Sequence, residues 1–155
     1  MERRNAWKDY DKKELKELEK LCKDYRKFLD NGKTERECVR QIVAMAKEAG
    51  YVDFEDIKKS KKKVKKGDKI YAVNMKKSIA LFQIGSEPLV NGMNILGAHI
   101  DSPRMDVKQN PLYEDTDLAY LDTHYYGGIK KYQWVTLPLA IHGVVAMKNG
   151  DVVDV

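Results

Sequence analysis

Apolar residues recur at three- and four-residue spacing from about Asp9 to Asp30: Leu15, Leu18, Leu21, Cys22, Tyr25, Phe28 and Leu29, with lysines and glutamates between them. That period predicts a helix with one face turned inward. Asn31-Gly32 ends it with residues that accept the left-handed conformation. Thr34 and Glu37 then match a capping box, and a second helix runs to about Ala49 with Val39, Ile42, Val43 and Ala46 as its buried stripe. Gly50 is its stop signal. The first third therefore reads as a helical hairpin.

Asp53 to Lys66 reads as a polar connector, after which the period switches to that of strands. Lys69–Met75 and Ile79–Gly85 are predicted strands, with Lys76-Lys77-Ser78 as the turn. Met93–Ile100 is a short apolar run with the character of a buried central strand. It ends at Asp101-Ser102-Pro103, because a proline cannot donate to a ladder. Arg104–Lys108, Leu118–Thr123 and the long apolar stretch Val135–Met147 are further strand candidates. Lys148-Asn149-Gly150-Asp151 reads as a hairpin turn into a last strand from Val152. The sequence stops inside that strand, and an apolar edge left open invites aggregation, so a truncated chain is expected.

The length of 155 residues and 43% hydrophobic content suit a folded domain rather than a disordered chain. No run approaches the roughly 20 apolar residues of a membrane helix. Met1-Glu2-Arg3-Arg4-Asn5 leads into polar residues, so no secretory signal, no membrane partner and a cytoplasmic location are expected. The formal charge is +5, and the seven lysines of Lys58–Lys66 produce it: without them 22 basic residues face 24 acidic ones. Such a run can bind nucleic acid or an acidic partner, but it more commonly forms a solvated surface. It has no arginine and no interleaved aromatic residue for base stacking, so a nucleic-acid partner is not expected. Cys22 and Cys38 fall on the two predicted helices outside any CxxC pair, and both read as reduced, buried thiols.

The chemistry concentrates at His99 and Asp101, where the apolar run ends. Residues two apart on a strand share a face. A carboxylate beside an imidazole accepts its second N–H and fixes its tautomer, as behind metal-bound histidines. An isolated histidine is more commonly a hydrogen-bonded structural residue, and the pattern alone leaves both readings open. The wider context decides between them. Gly97-Ala98-His99-Ile100-Asp101-Ser102-Pro103-Arg104 resembles the first metal-ligand motif of the aspartyl aminopeptidases, a family of cocatalytic zinc metallopeptidases. The similarity continues through Lys108–Asp115 and Thr123–Trp134, blocks that look like the bacterial branch, and it runs from about Lys69 to the end.

The resemblance implies an α/β fold. Residues 1–103 are expected to be two helices and the first strands of the peptidase sheet. Residues 104–155 are expected to begin an inserted β-rich oligomerisation domain. It implies that His99 binds one of two zinc ions and that Asp101 is the catalytic-site aspartate that orients it. It implies peptide substrates cleaved at their N-terminal residue, with acidic residues preferred, and a homo-oligomeric protein. The family's remaining metal ligands and its general-base glutamate lie downstream of the inserted domain. Glu114, Asp115, His124 and His142 do not occupy those positions. One ligand does not make a zinc site, so this chain alone is expected to bind no zinc specifically and to cleave nothing. The competing readings are a non-catalytic α+β module that binds nucleic acid or an acidic partner through Lys58–Lys66, and a piece serving only in oligomerisation.

Overall fold

Asp11 starts the first helix by accepting hydrogen bonds from the backbone N–H groups of Lys13 and Glu14, while Glu14 reaches back to the Asp11 N–H at 2.8 Å. The computed structural model describes residue 3 and residues 5–155. Part of the N-terminal reading falls on Met1, Glu2 and Arg4, which lie outside the described residues. Helix α1 spans Lys12–Asn31 and helix α2 spans Glu35–Glu48. The Thr34–Glu37 capping box forms as expected. Gly32 does not adopt a left-handed conformation; its φ is −120°. Its role is steric. A Cβ there would stand 2.7 Å from Cys38 Sγ and 2.9 Å from Gln41 Nε2, so glycine lets the two helices meet.

Asp53–Lys66 is not a plain connector. Val52–Asp53 forms a short strand, β1, and Phe54–Ser60 forms helix α3, capped by the Asp53 carboxylate on the N–H of Glu55. Helix α3 has only seven residues, too few to show a helical period. Strands β2 (Lys69–Asn74) and β3 (Ser78–Gln83) pair antiparallel, and β1 joins β2 in parallel, giving a mixed sheet in the order β1-β2-β3. The β2–β3 turn lies one residue earlier than expected. Met75 and Lys76 are its central residues, at φ 50° and 60°, and the Lys77 N–H donates to the Asn74 carbonyl. Helix α2 packs on this sheet and α1 packs on α2. Cys38, Val39 and Ala46 of α2 are buried, as are Ile70 and Tyr71 of β2, while Ile42 and Val43 are half-buried.

The contacts divide the chain into one unit up to Ile95 and a second from Leu96 to Val155. The expected central strand Met93–Ile100 is not formed. No strand pairs with it among the described residues, and Met93, Ile95 and Leu96 are exposed. Without a neighbouring ladder, apolar sequence alone does not make a strand. In the second unit β4 (Arg104–Asp115) and β5 (Leu118–Tyr126) form a long antiparallel hairpin. Its turn residues Thr116 and Asp117 have φ of 52° and 60°, the backbone that matches strand twist in tight hairpins. The register shifts between Val107 and Leu112, around Pro111. Val135–Met147 is not one strand. A short helix α4 covers Lys131–Trp134, and only Val144–Ala146 (β6) extends, pairing with β7 (Val152–Asp154) across the expected Lys148–Asp151 turn.

No residue of the second unit is buried. In the first, no residue of α1 is fully buried, although Leu18 and Phe28 are half-buried; Cys22 is exposed and not buried as expected, while Cys38 is buried. Neither forms a disulfide, and the Cys38 thiol donates to the Gly32 carbonyl at 3.6 Å. The chain exposes 13995 Å². Two separate folded units of these sizes would expose about 10,000 Å². No helix among the described residues is long and apolar enough to cross a membrane.

Candidate metal centre

Ring geometry at His99 is set within the local chain. Its Nδ1 lies 3.0 Å from the Asp101 carbonyl oxygen and 3.2 Å from Asp101 Oδ1. The two residues do not share a strand face, because the segment is irregular. The chain bends so that the i+2 residue folds back on the ring. Both contacts engage Nδ1. A neutral imidazole that donates from Nδ1 carries its lone pair on Nε2, the atom a metal would take. The His99 side chain is 82% exposed and that of Asp101 34%.

Asp101 is held from a second direction. The β4–β5 register sets Arg104 opposite Tyr126, which returns the end of β5 to the Asp101-Ser102-Pro103 turn. The Tyr126 hydroxyl donates to Asp101 Oδ2 at 2.9 Å. That hydrogen bond first, then the Asp101 backbone N–H, hold the carboxyl below the ordinary carboxylate range against an opposing desolvation, with lesser help from the neighbouring imidazole. The Arg104 guanidinium lies over the Tyr126 ring, 4.4 Å from its centroid, and donates from Nε to Asp106 Oδ1 at 2.7 Å. Gly127 follows Tyr126 at φ +71°, and a Cβ there would sit 3.3 Å from Pro103 Cα.

His124 lies on β5 with Nε2 3.9 Å from Asp106 Oδ2, and His142 precedes β6. Among the described residues, no three His, Cys, Asp or Glu side chains converge as a metal site. Lys58 pairs with Glu55 at 3.0 Å, and the remaining lysines of the run are exposed. The cleft beside them is lined by Asp56 and Asp68 as well as Lys62 and Lys63, so it presents no single sign of charge. Sequence reading gave Tyr126 and Arg104 no role. Tyr126 is 25 residues from Asp101, and only the hairpin register brings it back. The available signal was its place inside the Thr123–Trp134 block.

A family profile described as aminopeptidase I zinc metalloprotease (M18) matches residues 28–154. A probable M18 family aminopeptidase 1 of Clostridium acetobutylicum is 59% identical over 154 residues, covering 99% of this chain and 33% of that protein. The crystal structure of aminopeptidase I from Borrelia burgdorferi superposes with a TM-score of 0.90 at 39% identity, covering 98% of this chain and 37% of that one. The M18 aminopeptidase of Thermotoga maritima superposes with a TM-score of 0.88 at 42% identity, covering 100% and 33%. The chain thus spans about a third of the length of the relatives it matches. With the profile covering most of its length and the mixed α/β fold matching these structures, the chain belongs to the M18 family of zinc aminopeptidases.

Proposed function

We propose that this chain is the N-terminal third of a cytoplasmic two-zinc aminopeptidase, with His99 a ligand of one zinc and Asp101 the carboxylate that orients it. The observation that supports this most directly is the contact of His99 Nδ1 with Asp101, which leaves Nε2 as the ligand atom. It lies inside the region matched by the zinc metalloprotease profile. The residues present fit one arm of a zinc site. Bound zinc would supply Lewis-acid polarisation of the scissile carbonyl and a water acidic enough to attack near neutral pH. The chain's own residues do simpler work. His99 offers one nitrogen, and Asp101 accepts a hydrogen bond from the other and holds the ring in place.

The other ligands and the general base belong to family positions that Glu114, Asp115, His124 and His142 do not occupy. The substrate is the N-terminal residue of a peptide, with acidic residues preferred. From about Arg104 the chain enters a β-rich domain through which the protein forms a homo-oligomer. In the full-length protein, His99→Ala is expected to lose one of two zincs by metal analysis, together with most peptidase activity. Retention of both zincs contradicts the assignment. The 155-residue chain alone is expected to release no N-terminal aspartate or glutamate from peptides. Chelator-sensitive release by it would overturn the division of ligands proposed here.

A further inference from the structure

Asp101 has two carboxylate oxygens and two neighbours, one for each. Oδ1 faces His99 Nδ1 at 3.2 Å, and Oδ2 accepts from the Tyr126 hydroxyl at 2.9 Å. A carboxylate on a short, part-exposed side chain exchanges among staggered rotamers unless neighbours hold it in one. Tyr126 is itself tied. Its ring lies beneath the Arg104 guanidinium, which Asp106 holds by a 2.7 Å hydrogen bond. Its backbone is fixed as the register partner of Arg104, and Gly127 packs directly on Pro103. The result is a continuous series from Asp106 through Arg104, Tyr126 and Asp101 to His99. Tyr126 is 42% exposed, so its hydroxyl is not part of a core. The hairpin is held by its backbone ladder whether or not that hydroxyl is present.

We infer that Tyr126 is a positioning residue for the metal-binding histidine: its hydroxyl locks the Asp101 carboxylate, which together with the Asp101 carbonyl oxygen keeps the His99 proton on Nδ1 and leaves Nε2 as the ligand atom. The inference rests on the reading of His99 as a ligand and adds the device that prepares it without metal. It acts through Asp101 and touches neither metal nor substrate. Removing the hydroxyl frees the carboxylate to turn away and leaves the Asp101 carbonyl as the remaining acceptor on Nδ1, so the Nε2–H form gains population.

The test uses the 155-residue chain and nitrogen-15 NMR of its imidazoles, which reads which ring nitrogen carries the proton. Tyr126→Phe keeps the ring under Arg104 and removes only the hydroxyl. Preserved amide dispersion shows that the hairpin is intact. The Nδ1–H tautomer of His99 is expected to dominate in the unmodified chain. Tyr126→Phe should raise the Nε2–H fraction by about threefold, the order expected for one lost hydrogen bond. Asp101→Ala should raise it at least as far, and Tyr126→Phe should add nothing in the Asp101→Ala background. An unchanged tautomer in Tyr126→Phe, with a shifted one in Asp101→Ala, overturns the role of Tyr126 and leaves the His99–Asp101 pairing standing. No shift in either variant assigns the tautomer to the Asp101 carbonyl alone and overturns the role of both the carboxylate and Tyr126.

Discussion

Cys38 and Cys22 sit on adjacent helices and differ in what sets thiol reactivity. Cys38 is buried at 4% exposure, and burial, followed by the charges of Glu37 and Glu35, pushes its thiol above the ordinary range. Cys22 is exposed. Cys22 should therefore react with a disulfide reagent at least about tenfold faster than Cys38, measured by peptide mapping after a brief pulse. Equal rates would contradict the packing of α2. The sign of the pH effect follows from the raised value: the folded chain keeps a proton that the unfolded chain gives up. That contribution to stability is fully present below the ordinary thiol range and is lost as pH rises through the raised value. Melting temperature should fall more steeply toward alkaline pH in the native chain than in Cys38→Ala. At Asp101, replacement by asparagine in the full-length protein should lower zinc affinity or turnover by about 10- to 100-fold with the fold intact. Rates equal to the native protein would remove Asp101 from the site. His99 and Asp101 were legible because their pairing is local, two residues apart. Tyr126 was not, because a residue 25 positions away enters only through hairpin register.

Helix α2 shows how far local chemistry carries. Its capping box is readable in four residues, and the structure forms it, with Glu37 accepting from the Thr34 N–H at 2.8 Å. Thr34→Ala should cost about 1 kcal/mol, read from denaturant melts. Gly32→Ala should cost more than Thr34→Ala. The added methyl meets the Phe28 carbonyl at 3.1 Å as well as the Cys38 and Gln41 side chains, so backbone must move. A Gly32→Ala variant as stable as the native chain would refute that close approach. The hairpins at Lys148–Asp151 and β2–β3 were legible from turn chemistry and alternation. Helix α3 was not, because seven residues rich in lysine carry no period. Met93–Ile100 misled for the opposite reason. Its apolar content is right for a central strand, but a central strand exists only between partners, and none pairs with it among the described residues.

At the scale of the whole molecule, exposed apolar surface is the dominant physical fact. Leu21, Tyr25 and Leu29 on α1, Leu81 and Phe82 on β3, and Ile95 and Leu96 beyond it are all exposed. Surfaces of that kind are normally covered, and uncovered they associate. The class of fold and the family were legible because long motif blocks carry them. The chain's span of about a third of its relatives gives that surface a context: in a longer chain, the remaining residues would cover it. The most direct measurement replaces the matching third of the Clostridium acetobutylicum relative with these residues, then assays release of N-terminal residues from peptides with and without chelator. The account predicts a chimera that is active and chelator-sensitive, and inactive when His99 is changed to alanine. A folded but inactive chimera, or one that keeps full activity with His99→Ala, would contradict it.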